Sequence, residues 1–259
     1  MLALVATVFV GCDKDKDNDG NLAESIVGSW MNVEEDGRPM LTNHYSVINF
    51  VSAEKAYFSS AAIEPVENEE YVELWNNRLE LDVRIDGKTI VLSIQDEVST
   101  SELEFNVISL NADEIESRTV IRTIQNGEII DSAETNDRLK RVNVNYKEAI
   151  IGIWEGRCTS SGGSVFDDGE SHRWEYKSDG TYCYYYKEND EWKLSVSKYS
   201  DYFVEGPLLC TRWQNEGEPG NIENWEIESI SDNVMKWKAL RMNEEGDTYT
   251  VNFEMRKVQ

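Results

Sequence analysis

The chain is short of positive charge, of histidine and of cysteine. Its 25 Lys and Arg stand against 50 Asp and Glu, giving a net charge of −25 over 259 residues. That balance disfavours nucleic-acid backbones and anionic lipid headgroups as partners, because both are held by clustered basic side chains. Two histidines, His44 and His172, and three cysteines beyond Cys12 leave little material for metal ligands or an activated nucleophile. No His-x-His, His-Glu-x-x-His, Cys-x-x-Cys, Gly-x-Ser-x-Gly or Walker-type string occurs, so the usual zinc, hydrolase and nucleotide signals are missing. Neither a metal nor a cofactor is expected. No apolar run approaches the roughly 20 residues of a membrane-spanning helix. What is present is 40% hydrophobic content, enough to build real cores despite the charge.

Met1 to Val10 is uninterrupted apolar sequence, of a length that suits the core of a secretory signal, and small Gly11 follows it. The string Val8-Phe9-Val10-Gly11-Cys12 resembles a bacterial lipobox, although Phe9 stands where Leu is usual. The resemblance implies removal of residues 1–11 and acylation of Cys12, and several acyl chains give stable anchoring. No Lys or Arg precedes the apolar run, which points to a truncated signal and a start codon further upstream. Residues 12–21 form the tether. There Asp15, Asp17, Asp19 and Gly20 mimic a calcium loop, but Ile26 stands where that loop needs a bidentate Glu. A solvated, self-repelling linker accounts for the run. Acidic runs directly after a lipidated Cys are similar to the surface-export signals of Bacteroidota-type lipoproteins. That similarity implies an exported protein, lipid-anchored in the outer membrane and exposed at the cell surface.

The remainder repeats itself. Asn21, Glu24, Ile26, Gly28 and Trp30 recur as Asn145, Glu148, Ile150, Gly152 and Trp154. Asp86-Gly87-Lys88 aligns with Glu205-Gly206-Pro207, Val107 to Leu110 with Ile227 to Ile230, and Arg141-Val142 with Lys257-Val258. Two tandem units follow, 22–143 and 144–259, expected to unfold separately. Each reads as β. Tyr182, Tyr184 and Tyr186 share one face of a strand; Leu79, Leu81, Val83 and Ile85 share another. Short strands and compact turns, with a helical turn only at 22–27 and 145–151, predict an all-β meander.

Gly28-Ser29-Trp30 and Gly152-Ile153-Trp154 each follow such a helical turn and open a first strand. With Tyr176 to Tyr182 and Tyr202 to Leu209, the pattern resembles the lipocalin-like domains of Bacteroidota lipoproteins. The resemblance covers residues 22–259 and implies two tandem lipocalin-like antiparallel meander barrels, with Trp30 and Trp154 closing their bases.

No residue set stands out as catalytic, and the chain is expected not to be an enzyme. Cys158, Cys183 and Cys210 allow a disulfide with one thiol left over, or three small buried residues. His44 and His172, just before the second strand of each copy, read as solvated edge residues or as a paired feature. Six of the eight tryptophans lie in the second copy. Those rings serve either as core filler or as the lining of a site. The residues selected for such a site are Tyr182, Tyr184 and Tyr186 with Trp192 and Trp213. Two functions compete. The first is non-catalytic binding of a small apolar molecule or a glycan. The second is a structural or protein-interaction role with filled barrels and recognition through loops such as Thr159 to Ser171. Cavity volume separates them.

Overall fold

The computed structural model describes residues 22–65, 71–159 and 169–258. The leader, Cys12, the acidic tether and most of the Thr159 to Ser171 loop lie outside the described residues. The first half contains α1 (Leu22–Ser25) and strands β1 (Gly28–Glu35), β2 (Arg38–Pro39), β3 (Ser46–Phe50), β4 (Lys55–Pro65) and β5 (Tyr71–Asp86). It continues with β6 (Thr89–Gln95), β7 (Ser99–Leu110), β8 (Glu114–Gln125) and β9 (Glu128–Val142). The second half contains β10 (Gly152–Cys158), β11 (His172–Tyr176), β12 (Tyr182–Glu188), β13 (Glu191–Leu194) and β14 (Tyr199–Glu205). It ends with β15 (Leu208–Gln214), β16 (Asn221–Ser231), β17 (Val234–Met242) and β18 (Thr248–Val258). Among the described residues no helix is long and apolar enough to cross a membrane.

The molecule is all-β, as the alternating sequence predicts. In the first half β9 pairs back onto β1, closing β1 and β3 to β9 into an eight-stranded antiparallel barrel with β2 as a short flank. The second half runs in the order β13-β12-β11-β10-β18-β17-β16-β15-β14 and curls into a half-barrel. The difference has a local cause. The barrel's β5 is one strand of 16 residues, whereas its counterpart in the second half is broken into β13 and β14. A bridge between Thr181 and Asp201, the bond from the Tyr202 amide to the Gly180 carbonyl (2.8 Å) and that from the Tyr202 hydroxyl to the Lys177 carbonyl (2.8 Å) draw the two edges together.

The repeat is visible in detail. A single helical turn, Ile26 N–H to Leu22 O (2.9 Å) and Ile150 N–H to Tyr146 O (3.0 Å), precedes each Gly-x-Trp. Each indole then donates to the carbonyl four residues back, Trp30 to Ile26 (2.7 Å) and Trp154 to Ile150 (2.6 Å). A cation from the last strand covers each ring, Arg141 at 4.0 Å and Lys257 at 5.2 Å from the centroid. Gly28 and Gly152 are needed there. Their φ angles are +123° and +133°, and a Cβ would lie within 2.6 Å of those same cations. Even an irregularity recurs: the ladder slips between Val107 and Ser109 in β7, and between Ile227 and Ser229 in β16.

The halves also share a core, which the expectation of separate unfolding did not include. On β14 and β15, Val204 and Leu209 face the second half's own core, while Phe203, Leu208 and Cys210 face the outer wall of the barrel. There they meet Met31, Val47 and Ala61, and Phe203 packs edge-on to Trp75 at 4.8 Å. Asn224, fully buried, donates to the carbonyls of Ala61 (2.7 Å) and Asn43 (3.1 Å). Ion pairs of Arg78 with Glu205 and of Arg212 with Glu73 flank the seam.

Candidate functional site

The second half encloses a cavity of about 280 Å³ beside the break between β13 and β14. Its walls are six rings: Trp174 and Tyr176 from β11, Tyr182 and Tyr184 from β12, Trp213 from β15 and Trp225 from β16. Register brings them together, since Trp174 pairs with Tyr184 and Tyr176 with Tyr182, so all four point to one side of the sheet. Trp174 and Tyr184 lie 5.2 Å apart, and His172 Nδ1 meets the Tyr184 hydroxyl at 2.9 Å. The remaining lining is polar: Ser195, Ser197, Ser200, Thr211 and Glu223.

Among the described residues no basic side chain lines this cavity. Burial raises the Glu223 carboxyl above its ordinary value, more than the nearby charge of Arg241 and the Trp225 indole lower it. Burial first, and then the charge of Glu223, also hold the Tyr182 phenol protonated. The site therefore offers ring faces, neutral hydroxyls and one carboxyl. Among the described residues no group of three or more His, Cys, Asp or Glu converges as a metal site.

The Glu223 carboxyl sets a stability signature. Its pKa is raised on folding from a reference of 4.5, so ionisation destabilises the folded state as pH rises above that value. Glu223→Gln is expected to raise the thermal midpoint at pH 7, with the gain vanishing near pH 3, where both states are protonated. A gain of equal size at both pH values would assign the effect to packing instead.

Of the residues selected from sequence, Tyr182, Tyr184 and Trp213 meet at the cavity. Tyr186 is 43% exposed and outside its lining. Trp192 requires a correction. It pairs with Lys187 and so stands on the opposite face from the three tyrosines, beneath Arg173 at 4.2 Å. The site residues not selected were Trp174, Tyr176, Trp225, Glu223, Thr211 and the serines. His172 is also corrected, being buried beside Tyr184 rather than solvated, while His44 is exposed. Cys158, Cys183 and Cys210 form no disulfide. They lie on β10, β12 and β15 and face different surroundings: Cys158 packs on the second-half core, Cys210 lies in the seam, and Cys183 points away from the cavity-facing tyrosines.

The barrel of the first half has a cavity too, of about 400 Å³, walled by Ile48, Phe58, Leu103, Phe105 and Leu139. Its lining mixes aliphatic and polar side chains with the rings of Tyr45, Phe58 and Phe105, rather than the run of aromatics that marks the second half.

No family model and no curated protein matches this chain. Solved structures that match this chain include two of low identity. One is a double mutant of the vaccine antigen transferrin binding protein B from Haemophilus parasuis Hp5, at 8% identity and TM-score 0.25. That match covers 83% of this chain and 54% of the other, so the chain spans about half of that protein's length. The other is a protein of unknown function of the DUF3598 family from Nostoc punctiforme, at 9% identity and TM-score 0.27. It covers 90% of this chain and 97% of its own.

Proposed function

We propose that the chain is a non-catalytic binding lipoprotein, held at the outer-membrane surface through Cys12, that carries a small molecule in its second half. The observation behind this reading is the cavity of about 280 Å³ walled by six rings and edged by hydroxyls. Its size falls just below the roughly 300 Å³ at which small-molecule sites begin, room for a small ligand. Rings that served only as filler would leave no such space. The ligand presents an apolar face to the rings and a hydrogen-bond donor to Glu223 or the serines, which both a small apolar molecule with one polar group and a sugar satisfy.

Native mass spectrometry of the chain released from its own cells tests this. A retained mass that is lost on denaturation is expected. Trp213→Ala should weaken its hold by about 2 kcal/mol, some thirtyfold in affinity, as removal of a ring from a binding centre does. An unliganded mass together with exclusion of every small probe would overturn the reading. The Cys12→Ser variant should appear in the soluble fraction, and persistent membrane association would refute the anchor.

A further inference from the structure

The first-half barrel holds a buried carboxyl that its own protein leaves incompletely satisfied. Asp137 on β9 is 8% exposed and lines the cavity of about 400 Å³. Its partners across the ladders are Ser117 on β8 and Glu35 on β1. Hydroxyls of Thr119 and Thr135 and the side-chain amide of Asn32 reach the carboxyl, yet the Ser117 hydroxyl is engaged with that of Thr119 (3.1 Å), and Asp137 Oδ1 receives no hydrogen bond. Asn32 Oδ1, also lining the cavity, is a second buried acceptor with no donor. Buried acceptors are almost always paired, so two of them beside one cavity mark a place for donors brought from outside.

We propose that this barrel is a second binding site and that it takes a lipophilic ammonium ion, its head at Asp137 and Asn32 and its apolar part along Ile48, Phe58 and Leu103. An ammonium brings three N–H donors, enough for both acceptors, and a charge that offsets the burial of the carboxylate. A hydroxyl brings one donor and no charge. A fatty-acid anion would face Asp137 and Glu35, with the exposed His44 as the one basic side chain among the described lining, on a protein of net charge −25. Burial raises the Asp137 carboxyl above its ordinary value, with Asp36 adding to the effect, and an adjacent cation reverses that. The route in is apolar: Leu74 and Ile121 line the same cavity and are 38% and 50% exposed.

The test compares three probes that share one tail: octylamine, octan-1-ol and octanoate, titrated calorimetrically into the full chain. Physiological ionic strength screens attraction to the acidic surface. Octylamine is expected to bind at least about tenfold more tightly than octan-1-ol, the scale of one charge-assisted bond over a neutral one, and octanoate not at all. Asp137→Asn should abolish the preference for the amine while leaving octan-1-ol unchanged. Ile121→Trp, which narrows the mouth without touching the buried pair, should weaken both, and it decides the matter should Asp137→Asn fail to fold. Equal affinity for amine and alcohol, or octylamine uptake unaffected by Ile121→Trp, would overturn the proposal. Trp213→Ala should leave octylamine binding intact. Loss of binding there would place the amine in the second half, so the two sites fail separately.

Discussion

Trp154→Ala is expected to destabilise the chain by about 3–5 kcal/mol, the cost of truncating a buried Trp in a well-packed core. Three contributions add. The ring is 1% exposed and belongs to the second half's main core, so its removal leaves a cavity that neighbouring strands cannot refill. Its N–H satisfies the carbonyl of Ile150, itself fully buried, and that acceptor would be left without its donor. The Lys257 amine, 5.2 Å from the ring centroid, would lose its cation–π partner. Trp154→Phe separates these effects. It keeps most of the volume and loses the hydrogen bond, so a cost nearer 1–2 kcal/mol is expected. Urea unfolding of the full chain measures both through the shift of the midpoint at constant slope. A loss below about 1 kcal/mol for the alanine variant would remove Trp154 from the core. Trp30→Ala should behave alike, because Arg141 stands over Trp30 and also donates to the carbonyls of Ala112, Val27 and Ser25.

The arrangement around these tryptophans was legible in the sequence because it is local and occurs twice. Gly, Trp and a terminal cation recur in register, and each residue has one physical task. The error at Trp192 was avoidable. Asn189 and Asp190 both adopt positive φ, as a two-residue hairpin turn requires, and such a turn pairs Glu188 with Glu191. Counting back from that pair sets Tyr186 against Lys193 and Lys187 against Trp192, which excludes Trp192 from the tyrosine face. The same count places Ser195 beside Tyr184, and the amide of Ser195 does bond to the Tyr184 carbonyl at 2.9 Å. The cavities themselves could not be read. They arise where side-chain volume falls short of the space between strands that meet across the sheet, and no periodicity along the chain reports that shortfall. Asp137 is an intermediate case. It shares the core-facing parity of Leu139 on β9, so its burial was readable, whereas the lack of a donor for its Oδ1 was not.

The seam left a fainter trace. Tyr202-Phe203-Val204 and Leu208-Leu209-Cys210 are unbroken apolar runs in strands that otherwise alternate, the mark of a strand covered on both faces. Adjacent leucines therefore belong to different cores: Leu208 to the seam and Leu209 to the second half, both fully buried. Leu208→Ala and Leu209→Ala should each cost about 2–5 kcal/mol, yet with different consequences for cooperativity. With the seam intact, the whole chain is expected to unfold in one transition. Tryptophan fluorescence, dominated by the six rings of the second half, should then coincide with far-ultraviolet circular dichroism, which reports both halves. Leu209→Ala lowers that single midpoint, since the second half is weakened but still bound to the first. Leu208→Ala weakens the link and spares both inner cores, so fluorescence and dichroism should separate into two transitions. Two transitions already present in the unmodified chain, or identical behaviour of the two variants, would show that burial at the seam carries no coupling. A single transition divided by Leu208→Ala alone would make the pair of sheets one folding unit. Ligand binding in either half would then stabilise both, because the free energy of a ligand held by the native state is shared by everything that unfolds with it.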